Sequence, residues 1–179
     1  NYALPQGDIA LFMNEYAECR SNMRGIIGYE DQDLIDLLTQ KHAVRKESTY
    51  ERLAAIEKTM VTPEGKAAYS EIEKALEAYF EKEAEVIKIG ATIDRALCRK
   101  AQQIAIDEVA PLYEKLDAVT LHLMDLNIEK EHEMEQVCSM LEYGAMALMV
   151  ILTVCIVVIS QKISVVIAKG IANPLNDLG

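Results

Sequence analysis

From Tyr143 to Ser160 the chain reads YGAMALMVILTVCIVVIS, eighteen residues without a charge, set between Glu142 and Lys162. A helix rises about 1.5 Å per residue, so a run of this length matches a hydrocarbon core about 30 Å thick. The run is apolar on every face, whereas a helix packed on a soluble core carries a single apolar stripe. It lies late in the sequence, so it is not a secretory signal. All but one of the 29 acidic residues precede Tyr143, while Lys162 and Lys169 follow Ser160. Short basic flanks stay in the cytoplasm. Residues 1–142 are therefore expected outside the cell membrane, 143–160 across it, and 161–179 inside.

The outer block reads as long helices. Against 8 Met and abundant Ala, Glu, Leu and Lys there are only 2 Phe, 4 Pro and no Trp. Strands of a sandwich or barrel need β-branched and aromatic residues broken by frequent turns, and that pattern is absent. A net charge of −11 has the wrong sign for a nucleic-acid backbone, so that class of partner is excluded. Four cysteines, Cys19, Cys98, Cys138 and Cys155, show no metal-like spacing. Cys155 lies within the span and cannot pair with the others. Free thiols are unusual in an oxidising compartment, and a source living without oxygen would explain them. Asn1 is not an initiator methionine, and the sequence reads as a piece of a longer chain.

Apolar positions then recur at helical steps. The first stripe is Ile9, Phe12, Met13, Tyr16, Met23, Ile26 and Ile27. Asp31 or Asp33 can cap a second helix, with the stripe Leu34, Ile35, Leu38, His42, Arg45, Thr49, Leu53, Ile56, Met60. Thr62-Pro63-Glu64 is a strong helix start, and a third stripe runs Ala68, Ile72, Leu76, Tyr79, Val86, Ile87. Thr92 is the next expected cap. A last stripe runs from Ile93 through Leu112, Leu116 and Leu123 into the span. Pro111 should break or start a helix, and residues 92–106 either extend the last helix or cap the bundle. Long amphipathic helices joined by short turns predict an all-α, up-down-up-down four-helix bundle whose last helix continues into the membrane.

Three stretches make the chain recognisable. Thr62-Pro63-Glu64-Gly65-Lys66-Ala67-Ala68-Tyr69 follows the second helix, and Ala110-Pro111-Leu112-Tyr113-Glu114-Lys115-Leu116-Asp117 lies in the fourth. The tail, Ile167-Ala168-Lys169-Gly170-Ile171-Ala172-Asn173-Pro174-Leu175-Asn176-Asp177-Leu178, is similar to the start of a HAMP linker. Bundle, span and Pro-Leu helix in that order resemble the sensory region of bacterial methyl-accepting chemotaxis receptors. The resemblance implies a first span before Asn1, an output domain after Gly179, and a homodimer paired through the first helices. It also implies a small-molecule ligand. The same sensory domain feeds histidine kinases and nucleotide cyclases, so the output stays open. A membrane-anchored scaffold without a small ligand is the other reading.

Amino-acid receptors of this family hold ligand carboxylates with arginines of the first helix. Cys19-Arg20-Ser21-Asn22-Met23-Arg24 resembles that pattern, which makes Cys19, Arg20 and Arg24 candidate ligand-site residues. Arg20 and Arg24, four residues apart, share a helix face, and guanidinium forks clasp carboxylates bidentately. The alternative is a pair of surface arginines neutralised by Glu18 or Asp31. A further family arginine is Glu15 here, and the polar residue after the fourth-helix proline is Leu112, which the resemblance makes a further candidate ligand-site residue. Both departures favour a small organic anion over an α-amino acid. His42 and Arg45 interrupt the second stripe and either line a pocket or sit at the stripe's edge. Tyr16, Tyr69, Tyr79 and Tyr113 are expected to pack rather than to form a cage.

No catalytic residue, cofactor or metal is assigned. A di-metal bundle needs Glu-x-x-His on two helices, and only Glu129-x-x-His132 matches, in a charged run that reads as a solvated face. Gly-rich phosphate loops and Ser/His/Asp constellations are absent.

Overall fold

The computed structural model describes residues 6–176, with side chains through Ile167. Its helices are α1 (Gln6–Ile26), α2 (Gln32–Glu57), α3 (Pro63–Gly90), α4 (Arg95–Ile104) and α5 (Ala110–Asn176). A π-helical turn, Ala105–Val109, joins α4 to α5. Among the described residues there is no strand. The fold is the expected all-α four-helix bundle, its fourth member made of α4, the π turn and the beginning of α5.

Local chemistry explains most of the boundaries. Asp31 caps α2, its carboxylate accepting from the Asp33 and Leu34 amides where free N–H groups and the helix dipole favour negative charge. Thr62 caps α3 by accepting from the Gly65 amide at 3.0 Å, with Pro63 in the first helical position. The expected Thr92 cap is displaced. Asp94 caps α4, accepting from Ala96 and Leu97, while Thr92 turns its own N–H back to the Gly90 carbonyl at 2.8 Å. That turn delays the new helix. Gly90 is needed there for space: a Cβ on it would lie 2.7 Å from Ala101 Cβ and 2.7 Å from Ile27 Cγ2.

Pro111 was expected to break or start a helix. The helix instead passes through it and yields just before. Proline offers no N–H to the carbonyl four residues back, and its ring crowds that carbonyl. Widening relieves the crowding, and the Ala110 amide reaches back five residues to the Ala105 carbonyl, the π pattern. Residues 95–109 therefore extend the last helix.

The chain divides into two compact units, Asn1–Glu129 and Lys130–Gly179. The core of the first is built from Ile9, Phe12, Tyr16 and Ile26 of α1, Ile35 and Ile56 of α2, Leu76, Tyr79 and Val86 of α3, and Leu116 and Leu123 of α5. Burying each such side chain is worth about 1.5–3 kcal/mol relative to exposure.

The second unit is built on another principle. Leu148, Met149, Val150 and Ile151 are consecutive and all more than half exposed. At 100° per residue four neighbours point to every side of a helix, so no core within this chain covers them. Among the described residues one helical run, Arg95–Ile167, is long and apolar enough to cross a membrane, with mean hydropathy 2.5 over its most apolar stretch. The HAMP-like tail from Ala168 onwards lies outside the residues whose side chains are described.

Candidate functional site

Midway along the bundle the four helices share a layer of polar and aromatic groups. Glu83 of α3 is fully buried. The Tyr79 hydroxyl donates to its Oε1 at 2.7 Å, and His42 Nε2 of α2 lies 2.8 Å from its Oε2. As a carboxylate, Glu83 thus accepts on both oxygens. Beside it, Cys19 Sγ of α1 is 3.9 Å from Thr49 Oγ1. The Thr49 hydroxyl already donates to the Arg45 carbonyl at 2.8 Å, so the thiol is the donor. Burial pushes the Cys19 thiol up to about 12, with the Glu83 charge adding to it. Burial also raises the Tyr79 phenol well above its ordinary range, and the Glu83 charge reinforces this.

Tyrosines tie this layer to α5. Tyr113 stacks edge-on against Tyr16 and Tyr79, with ring centroids 5.5 and 5.8 Å apart. The Tyr16 hydroxyl donates to Asp117 Oδ1 at 3.0 Å. Burial, then the Asp117 charge, raises the Tyr16 phenol strongly. At the bundle surface Arg45 donates through Nη1 to both carboxylate oxygens of Glu15, at 3.0 and 3.2 Å. That hydrogen bond raises the Arg45 guanidinium further.

A cavity of about 530 Å³ opens where α1 ends and the π turn begins. Arg20, Met23, Arg24 and Ile27 line one side. Ala105, Ile106 and Val109 of the π turn line the other, with Gln102 and Ala110 flanking them. The Gln102 amide is held by donation to the Ile27 carbonyl at 2.8 Å. Arg20 has its guanidinium carbon 4.0 Å from the centroid of the Tyr113 ring, a cation–π contact. Among the described residues neither Arg20 nor Arg24 forms an ion pair with a carboxylate. The alternative pairing with Glu18 or Asp31 is not formed. Lys82 of α3 holds the π turn from outside, reaching Glu108 at 2.8 Å and Glu85 at 2.7 Å. Its ammonium is raised mainly by the bond to Glu108.

The six sequence candidates therefore divide. Arg20 and Arg24 meet on one cavity wall. Cys19 is buried against Thr49, and Leu112 packs partly buried against the core; neither lines the cavity. His42 and Arg45 do not line it either. His42 is satisfied by Glu83 inside the bundle, and Arg45 is held by Glu15. Glu83 escaped the sequence reading, although it stands four residues after Tyr79 and three before Val86, on the buried stripe. A carboxylate at such a position signals a partner on another helix. The cavity wall around Ile106 escaped it too, since nothing in periodicity announces a π turn.

Glu129 and His132 do not converge with other ligands. The His132 ring lies exposed, its Nδ1 3.7 Å from Glu135. Among the described residues no three His, Cys, Asp or Glu side chains are grouped to hold a metal.

Residues 3–136 match the family described as a four helix bundle sensory module for signal transduction. No curated protein and no solved structure matches the chain.

Proposed function

This chain belongs to the four-helix-bundle sensory modules for signal transduction found in chemoreceptors, and we propose that its distal cavity binds a small anion through Arg20 and Arg24. One observation carries this reading. Two guanidinium groups line one wall of a single cavity, and neither is neutralised by a carboxylate among the described residues. Like charges four residues apart on a helix repel mildly. An arriving anion relieves that repulsion and gains charge-assisted hydrogen bonds.

The module works in this reading as the outer part of a membrane receptor. The bundle lies outside the cell, residues 143–160 cross the membrane, and the tail begins a HAMP linker. Two copies pair through α1, whose outer face is small and uncrowded. Ala10, Asn14, Ala17 and Ser21 are all exposed along it. The cavity's second wall is the π turn, which leads directly into α5. An anion that draws the two walls together shifts the start of the signalling helix. Shifts of about 1–2 Å at helix interfaces are a known switching mode. The ligand must only differ in affinity between two states by a few kcal/mol.

The test is calorimetry and thermal unfolding of the full chain in nanodiscs, screened against small organic acids. A ligand at a hundredfold excess over Kd should stabilise the chain by about 2.7 kcal/mol. Replacing Arg20 and Arg24 together by Ala should abolish the effect. Unchanged affinity in that double variant would remove the site, and a complete lack of anion binding would favour a scaffold.

A further inference from the structure

We propose that the ligand of this cavity is a monocarboxylate carrying an apolar body, rather than an α-amino acid or a dicarboxylate. The inference rests on the anion reading above and adds what the rest of the ligand must be. The charge in the cavity is one-sided. Both guanidiniums stand on α1, and no carboxylate lines the space. An α-ammonium would enter with no anionic partner while losing water, and a charge buried without a partner is costly. Gln102 does not replace that partner: its Nε2 donates to the Ile27 carbonyl, and its remaining oxygen is a single neutral acceptor that carries no counter-charge.

The opposite side decides against a second carboxylate. Ala105, Ile106 and Val109 present only hydrocarbon, and Met23 and Ile27 extend that lining beneath the arginines. A dianion reaching across the cavity would set one carboxylate on Ile106 and Val109. Ile106 is 66% exposed, although it is a large β-branched residue beside a cavity. An apolar ligand body that covers it removes hydrocarbon from water, at about 25 cal/mol per Å². A volume of about 530 Å³ falls in the range of small-molecule pockets and accommodates an aryl or short alkyl body with room for water. Met23 is the adaptable element of the wall, since an unbranched thioether repacks around different shapes. The site therefore reads charge strictly and body shape loosely.

The experiment is calorimetry on the full chain in nanodiscs with benzoate and hexanoate as probes. L-phenylalanine, succinate and 1-hexanol serve as comparisons. Benzoate or hexanoate should bind at least tenfold more tightly than each comparison. Ile106→Asp should weaken them at least tenfold, whereas Ile106→Leu should keep affinity within about threefold. Ile106 is exposed, so both variants are expected to fold, and circular dichroism checks this. If succinate or L-phenylalanine binds through Arg20 and Arg24 as well as benzoate does, the apolar-body inference falls and the anion site survives. If 1-hexanol binds equally, the charge requirement falls. If no anion binds, both readings fall together.

Discussion

The middle of the bundle and its distal end handle polar groups in opposite ways. In the middle, the buried polar groups are hydrogen-bonded to one another, most of them across helices. Glu83 takes bonds from Tyr79 and His42, Cys19 gives to Thr49, and Tyr16 gives to Asp117. At the distal end two arginines line a cavity, and Arg20 lies over the Tyr113 ring. A closed network of this kind holds helices in one register, because a group left unpaired in low dielectric is expensive. Charges left open are the ones available to a ligand. With the proposed anion site, stability and recognition fall to different levels of one bundle.

The sharpest way to break the comparison is Glu83→Leu. It strands the Tyr79 hydroxyl and the His42 ring inside the bundle, and should cost about 3–5 kcal/mol in thermal or urea unfolding of the chain in detergent. Adding His42→Leu should recover part of that loss, since replacing both members of a buried pair with apolar groups is far gentler than removing one. A single variant costing less than about 1 kcal/mol would mean that the layer does not lock the bundle.

Raising the pH attacks the same layer more gradually. The folded thiol of Cys19 is pushed up to about 12, above its ordinary value of 9.0. Tyr16 and Tyr79 are shifted upward as well. Between the unfolded and folded values the native state holds more protons than the unfolded chain, so stability falls as pH rises. For Cys19 the contribution is fully present below pH 9 and is lost toward pH 12, at about 1.4 kcal/mol per pH unit; the two tyrosines add to the slope above pH 10. Unfolding followed from pH 8 to 11 should show this slope, and replacing Cys19 by Ala should flatten part of it. Over the same range exposed Cys138 should react with a thiol reagent while Cys19 and Cys98, both buried, stay protected in the folded chain.

The smallest stability effect should come from the distal arginines. Arg24 is exposed and Arg20 is held mainly by its contact with Tyr113, so Arg20→Ala with Arg24→Ala should change stability by about 1 kcal/mol or less. Anion binding should nevertheless disappear. A large loss of stability would place these residues in the scaffold and erase the contrast with the middle layer.

Much of this was legible before any coordinates. The Tyr143–Ser160 run and the stripes through Phe12, Ile72 and Leu116 depend only on spacing along the chain, as do the caps at Asp31 and Thr62. Arg20 and Arg24 were likewise readable as one face of one helix. Whether His42 is buried or sits at the stripe's edge was left open by the sequence. Its partner Glu83 stands 41 residues away, and nothing on α2 alone announces it. Thr92 failed as a cap because its hydroxyl oxygen accepts from the Asp94 amide in the turn before the helix, which propensity does not register. Pro111 was read as breaking or starting a helix, yet a π turn just before it accommodates it within a continuous helical run.

The sequence by itself determined the helices, their apolar faces and the membrane-length run, because each follows from periodicity and transfer free energy along a single segment. Which buried charge meets which partner, and that the π turn faces the two arginines across a cavity, were decided only when helices distant in sequence came within hydrogen-bond reach. Pairing energies depend on distances of a few ångströms between segments, and no local pattern encodes those.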